Sequence, residues 1–249
     1  MRPLRQRSSA RQGLKRSVGH ASNIRKGQFT KPMHDILENG PEDARVRLIL
    51  AHGAGGAMSS SFLETMAEML AARDIAVTRF EFDYMAARRK GGKRRPPPRA
   101  ELLAPEYRKV VEDVGARLAP GQRLLIGGKS MGGRVASLIA EEMLGDGSIA
   151  GLVCLGYPFH PPGKPDQLRT PHLVSLDTPC LIVQGDRDPF GSRPEVEALT
   201  LSPRIEFHWA GDGDHDLGPR GGQGFTRRGN LQAAADAIAK FADGLLAKP

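Results

Sequence analysis

Gly128-Lys129-Ser130-Met131-Gly132 sets a serine between two glycines, where the apolar run Leu124-Leu125-Ile126 gives way to an amphipathic stretch beginning at Arg134-Val135-Ala136. A strand that turns directly into a helix at such a G-x-S-x-G pattern holds the serine in a strained backbone conformation and lifts its hydroxyl above the sheet edge. Cβ atoms at Gly128 and Gly132 would collide where strand and helix cross, hence the glycines. The N–H of Met131 is left at the helix N-terminus, free to stabilise an oxyanion. In a chain with 30 glycines the pentapeptide alone is a weak signal, and its bland reading is a helix N-cap after a glycine-rich turn. The strand before it and the helix after it favour a nucleophile. Gly128-Lys129-Ser130 also spells the end of a phosphate-binding loop, but the first glycine of that motif would fall at Arg123 and strand residues replace its flexible cradle.

A serine hydroxyl is almost wholly protonated near neutral pH, so Ser130 needs a base and a group to orient that base. In a strand-turn-helix site of this kind the chain order is Ser, then acid, then His. Two loops that each follow an apolar run supply candidates: Gln184-Gly185-Asp186-Arg187-Asp188-Pro189-Phe190 and Gly211-Asp212-Gly213-Asp214-His215-Asp216-Leu217. Of the seven histidines, His20 and His34 lie in or near a basic tail, His160 and His172 in a Pro-rich segment, and His208 inside a strand run. His52 precedes the serine and breaks the order. His215 remains as the base. Asp186 and Asp188 are both candidates for the acid; Asp188 is preferred because it lies further into the loop, where Pro189 stiffens the turn. The alternation Asp212, Asp214, Asp216 hints at calcium, yet an EF-hand loop counted from Asp212 would need Gly and Glu where Leu217 and Gln223 stand, so no metal is expected. His52-Gly53-Ala54-Gly55-Gly56 follows the first apolar run and can bring the Ala54 N–H beside that of Met131. Two such donors make an oxyanion hole, each worth about 3 kcal/mol of transition-state stabilisation.

The elements that must position these groups alternate as β-α-β units. Strands are expected at about 46–51, 75–82, 123–127, 151–155, 180–184 and 204–209, with helices near 59–72, 105–118, 131–144, 194–201 and 230–246. The fold class is α/β, a mostly parallel sheet of about six or more strands flanked by helices. Between Met85 and Leu103, seven basic residues around Gly91-Gly92 and Pro96-Pro97-Pro98 predict a looping excursion. Its Arg94 and Arg95 are the candidate substrate-binding residues, favouring an anionic substrate if the loop returns to the cleft. The Pro-rich segment from Gly156 to Pro179 is too short for a helical cap, so the cleft should be open. The formal net charge of +8 invites a nucleic-acid reading, but nine Lys or Arg and no acid fall within the first 34 residues. The basic character therefore belongs to a tail, 1–34, that reads as disordered, with Met33 an alternative start; the remainder, 35–249, suits one domain. Cys154 and Cys180 sit in apolar runs and read as reduced core thiols, and no apolar run suits a membrane span or signal peptide. A cytoplasmic protein with a small-molecule substrate and no cofactor is expected.

These motifs resemble the α/β-hydrolase superfamily. The closer resemblance is to its lid-less, dienelactone-hydrolase-like group, which includes a testis-expressed protein and a subunit of the NSL histone acetyltransferase complex. It is carried by Leu50-Ala51-His52-Gly53-Ala54-Gly55, Phe80-Glu81-Phe82 with Tyr84-Met85-Ala86-Ala87-Arg88-Arg89, Gly91-Gly92-Lys93-Arg94-Arg95-Pro96-Pro97, Gly128 to Arg134, Gln184 to Gly191 and Gly213 to Leu217. The resemblance implies an acid three residues after the glycine ending its strand, which from Gly185 is Asp188. It also implies an antiparallel hairpin before the first parallel strand, whereas residues 31–45 carry little strand pattern. The expected activity is hydrolysis of a small ester, thioester or lactone through Ser130, His215 and Asp188. The alternative is a non-catalytic interaction module that binds an acidic partner through the basic loop and tail.

Overall fold

A computed structural model describes residues 34–93, 96–222 and 224–247. Most of the basic tail, Met33 and the pair Arg94 and Arg95 lie outside the described residues. Seven strands form one sheet in the order β1-β3-β2-β4-β5-β6-β7: β1 (Ile36–Asn39), β2 (Val46–Ala51), β3 (Ile75–Phe80), β4 (Arg123–Lys129), β5 (Gly151–Leu155), β6 (Cys180–Gly185) and β7 (Ile205–Ala210). Six run parallel, and β1 pairs antiparallel with β3, Leu37 opposite Arg79.

Period-two alternation divides the core between the two faces of the sheet. Leu48 and Leu50 of β2 pack with Phe62, Leu63, Met66 and Leu70 of α1 (Ser61–Ala71) and with α6 (Arg227–Leu246). Ile49 faces the opposite layer, where Tyr107 and Val111 of α3 (Ala100–Gly115) and Ile139 of α4 (Met131–Gly145) meet Ile126 and Ile182. The methionines of α1 are core filling: Met66 is fully buried and Met69 packs at the margin. Tyr107 ties this layer to the sheet, since its hydroxyl donates to Gly127 O at 2.6 Å and accepts from Gly127 N–H at 3.0 Å. Burial pushes the phenol's pKa up and keeps it protonated in that role.

The helix expected near 194–201 is a short α5 (Arg193–Glu197), and the structure departs further from the sequence expectations at three points. β1 exists: four residues, Ile36-Leu37-Glu38-Asn39, form an antiparallel edge where little strand pattern was read. A half-buried edge strand needs no continuous apolar run, and here charged groups anchor it, Arg47 donating to Glu38 at 3.0 Å and Arg79 to Asn39 at 2.8 Å. The start of the basic segment is not a loop but α2 (Asp83–Arg89). Arg89 secures its end by donating to the buried Glu81 and to Asp35, each at 2.8 Å. Finally, α3 begins at Ala100, with Pro105 inside it; one backbone donor is lost there, but the apolar stripe Leu103, Tyr107, Val110, Val111, Val114 holds the helix to the sheet. Between Gly156 and Pro179 the one regular element is the 3-10 turn Pro171–Leu173, and among the described residues no cap domain covers the carboxyl edge of the sheet.

Candidate active site

Five loops leave the carboxyl ends of parallel strands on one edge, the position where ligands bind in such sheets. β4 delivers Ser130 with no intervening residue. Its backbone is forced to φ 52°, ψ −115°, a left-handed conformation a serine adopts only under constraint. The constraint is the crossing: a Cβ at Gly132 would lie 2.6 Å from the carbonyls of Ala51 and His52, and one at Gly128 would lie 2.7 Å from Gly132 C. Ser130 N–H donates to Leu155 O at 2.9 Å, fixing the turn to the end of β5.

His215 enters from the loop after β7. Its Nε2 is 2.9 Å from Ser130 Oγ and its Nδ1 is 2.8 Å from Asp188 Oδ2. With the ring proton on Nδ1, His215 donates to Asp188 and accepts from the serine hydroxyl. Asp188 is fully buried and further held, Oδ2 by Gln184 Nε2 at 3.0 Å and Oδ1 by Phe190 N–H at 2.9 Å. Asp186 does not meet His215; its Oδ2 accepts from Asp212 N–H at 3.1 Å and helps close the β6 loop against the β7 loop. Phe190 lies against the His215 ring, centroids 4.3 Å apart, leaving the imidazole partly exposed toward the cleft.

The three alternating aspartates of the His215 loop each have a separate structural partner. Asp212 holds Arg187 at 2.6 Å and Arg220 at 2.9 Å. Asp214 accepts the N–H groups of Asp216 and Gly218, at 2.9 and 2.8 Å, and so shapes the turn that presents His215. Asp216 pairs with Lys129 at 3.2 Å. Lys129 is buried beneath the site, its ammonium also facing the Phe62 ring, and burial lowers its pKa. Asn230 of α6 anchors the same loop by donating to Leu217 O at 2.8 Å and Gly211 O at 3.0 Å. Among the described residues, the one group with metal-ligand spacing is His34, Asp83 and Glu106, away from this loop. Asp83 N–H donates to Glu106 at 2.8 Å within that group.

Two residues that the spacing argument set aside or left unassigned prove central to the geometry. Gln184, a polar residue closing an apolar strand, is fully buried; it accepts from Tyr157 N–H at 2.7 Å and donates to Asp188, Tyr157 O and Gly191 O. His52, excluded as the base by chain order, braces the loop after β2. Its Nδ1 donates to Gly53 O at 2.7 Å and its Nε2 accepts from Phe82 N–H at 3.2 Å. Burial lowers the His52 pKa and keeps this ring neutral. Gly53 O and Ala54 N–H belong to one trans peptide, so fixing the carbonyl fixes the opposite direction of the N–H. Tyr84, its pKa pushed up to about 12 by burial, donates to Ala54 O at 3.1 Å and holds the next peptide.

Ala54, Ser130, Met131 and Phe190 line one open cleft of about 620 Å³, within the usual range for small-molecule sites. The Arg/Pro loop does return to it: Pro97, Pro98 and Arg99 form part of the wall. The positions of Arg94 and Arg95 lie outside the described residues.

A mostly parallel sheet carrying a strained serine after its central strand, with histidine and aspartate on later loops, has the architecture of an α/β hydrolase. The sequence model of the alpha/beta hydrolase domain matches residues 44–243, and the chain belongs to that family. Solved structures share the fold. An alpha-beta serine hydrolase homologue from Coxiella burnetii is 20% identical with a TM-score of 0.61, covering 83% of this chain and 89% of that one. Est1E from Butyrivibrio proteoclasticus, with ferulic acid bound, is 16% identical with a TM-score of 0.62, over 86% and 96%. A dienelactone hydrolase from Anabaena variabilis is 19% identical with a TM-score of 0.60, over 84% and 90%. No described helix is long and apolar enough to cross a membrane.

Proposed function

We propose that this protein is a serine hydrolase of small carboxylic esters, thioesters or lactones, working through an acyl-enzyme. The observation that carries this reading is the continuous chain Ser130 Oγ, His215 Nε2, His215 Nδ1, Asp188 Oδ2, with links of 2.9 and 2.8 Å, on a serine held at positive φ. His215 takes the proton as Ser130 Oγ attacks the acyl carbon, and the buried Asp188 stabilises the imidazolium that forms. The oxyanion is received by the N–H groups of Met131 and Ala54, the second aimed by His52. His215 returns the proton to the leaving oxygen or sulfur. A water deprotonated by the same imidazole then attacks the acyl-enzyme, releases the acid and restores Ser130. No cofactor or metal is called for by these steps.

The open cleft suits compact substrates. The kinship with the testis-expressed protein and the NSL-complex subunit rests on the motifs quoted above, and the two free, buried thiols of Cys154 and Cys180 support a cytoplasmic setting. The test is hydrolysis of 4-nitrophenyl acetate by the wild-type protein and by Ser130→Ala, with mass spectrometry of the quenched reaction. Turnover that Ser130→Ala abolishes, with an acetyl adduct on the peptide containing Ser130, is expected. Folded wild type that gives neither turnover nor adduct on acetate, butyrate or lactone substrates would move the assignment to the interaction module.

A further inference from the structure

Three guanidiniums, Arg99, Arg134 and Arg169, face the cleft that contains Ser130, and Glu101 is the one carboxylate among its described lining residues. Arg134 stands one helical turn after the serine, its N–H bonded to Ser130 O at 3.0 Å. Side chains at that spacing start about 5–6 Å apart and share one helix face. The Arg134 side chain is mostly buried and one end reaches Glu101 at 2.6 Å, but its Nε is buried without a hydrogen-bond partner among the described residues. An unsatisfied N–H on a largely desolvated cation is costly, and because Nε is itself closed to solvent, the group that meets a ligand is the exposed part of the guanidinium that Glu101 does not hold. Arg169, from the segment between β5 and β6, is half-buried and forms no ion pair within 4 Å among the described residues, Glu101 acting on it only at longer range. Burial and the charge of Arg134 both lower its pKa, as expected for two cations sharing a cleft without enough counter-charge. His172, hydrogen-bonded to Ser137 at 2.9 Å, is also held neutral, its pKa lowered to about 4 by burial and by Arg134.

The geometry points to an anion subsite formed by Arg134 and Arg169 beside Ser130, so that the substrate is an ester, thioester or lactone bearing a carboxylate or phosphate a few bonds from its scissile carbonyl. This rests on the hydrolase reading and assigns anionic recognition to residues on α4 and the β5–β6 segment; Arg94 and Arg95, the candidates from the sequence, lie outside the described residues. A planar guanidinium presents paired N–H donors that match either oxyanion, and the half-exposed Glu101 leaves part of the Arg134 fork free to engage one. Arg99, exposed at the rim, adds attraction rather than a fixed contact.

The experiment compares kcat/KM for mono-4-nitrophenyl glutarate and for the uncharged 4-nitrophenyl valerate in the wild type, Arg169→Gln, Arg134→Gln and the remote surface control Arg204→Gln. The wild type and the control should favour the charged ester by about 10- to 100-fold, and each cleft variant should bring the ratio toward one. In parallel, binding of glutarate and of propyl phosphate to Ser130→Ala is followed by ligand-observed NMR, which needs no catalysis and tells the two anions apart. Binding of either anion that Arg169→Gln abolishes supports the subsite even if neither ester turns over, an outcome that would strike only the hydrolase reading. Equal use of both esters, or anion binding indifferent to both cleft substitutions, would overturn the subsite while leaving the hydrolase reading intact. A ratio that falls equally in Arg204→Gln would also overturn it, because net charge alone would then explain the preference.

Discussion

His52→Phe isolates the idea that the oxyanion hole is aimed from behind. Phenylalanine keeps the ring volume and the edge contacts with Phe82 and Tyr84, whose centroids lie 5.2 and 5.7 Å away. It removes the donor to Gly53 O and the acceptor for Phe82 N–H. The Gly53–Ala54 peptide is then free to rotate, and the Ala54 N–H loses its fixed direction. Deleting an oxyanion donor outright costs about 2.7–4 kcal/mol, and a peptide that is misaimed only part of the time should cost less, so kcat is expected to fall about 10- to 100-fold with little change in KM. The orphaned Phe82 N–H should also lower stability by about 1–3 kcal/mol, read as a shift in the urea midpoint. His52→Asn separates the two effects, because its short amide can donate to Gly53 O from near the Nδ1 position without reaching Phe82. It should recover much of kcat while remaining destabilised. The assay is steady-state hydrolysis of 4-nitrophenyl acetate alongside urea unfolding. A folded His52→Phe protein with wild-type kcat, or a rate loss that Asn does not relieve, would mean that His52 does not aim the Ala54 N–H.

Three further outcomes follow from the same geometry. Asp188→Asn should lower kcat by about 10³- to 10⁴-fold, because the amide cannot hold the His215 proton on Nδ1, whereas Asp186→Asn should change kcat less than about threefold; steady-state kinetics of the two variants checks the choice between them. Burial holds the pKa values of His52, His172 and His208 below the ordinary histidine value, so the unfolded chain binds protons that the folded chain refuses. Their stabilising contribution is complete above about pH 6.5 and declines as pH falls, by at most about 1.4 kcal/mol per pH unit for each ring and less for the half-exposed ones. Urea midpoints should therefore drop between pH 7 and pH 5, less steeply in His172→Gln, and a flat profile would contradict the assignment. Gly132→Ala would press a methyl against two backbone carbonyls that cannot yield, so a loss of about 1–3 kcal/mol or more, seen as a lower thermal midpoint, is expected.

Long apolar runs and glycine spacing made most of the fold legible. The runs that became β2, β4, β5 and β6 are buried along nearly their whole length, so nothing in the tertiary structure competes with their local pattern. β1 was illegible because its four residues owe their place to Arg79 on the adjacent β3 and to Arg47 on β2, one strand further in. α2 was hidden by its charge: the basic run read as a looping excursion, whereas Glu81 and Asp35 hold Arg89 at the end of a helix. At the site, chain order and loop position named the residues that the structure brings within hydrogen-bonding distance, and separated Asp188 from Asp186. Gln184 was read only as part of a motif and His52 only as a rejected base, because each joins a short-range bond, to Asp188 or to Gly53 O, with one to a residue 27 or 30 positions away. A buried polar residue at the end of an apolar strand was the available signal for both. Arg134 and Arg169 were overshadowed by the denser Arg/Pro run, since position relative to the cleft is not a property of sequence density.

Whether Ser130 is an activated nucleophile is read directly from covalent labelling by a fluorophosphonate probe at near-neutral pH, comparing the wild type with Ser130→Ala and His215→Ala. A stoichiometric adduct on Ser130 is expected in the wild type, none in Ser130→Ala, and labelling slowed by orders of magnitude in His215→Ala. A wild-type protein that is folded by circular dichroism yet unlabelled, or one labelled equally well without His215, would contradict that activation.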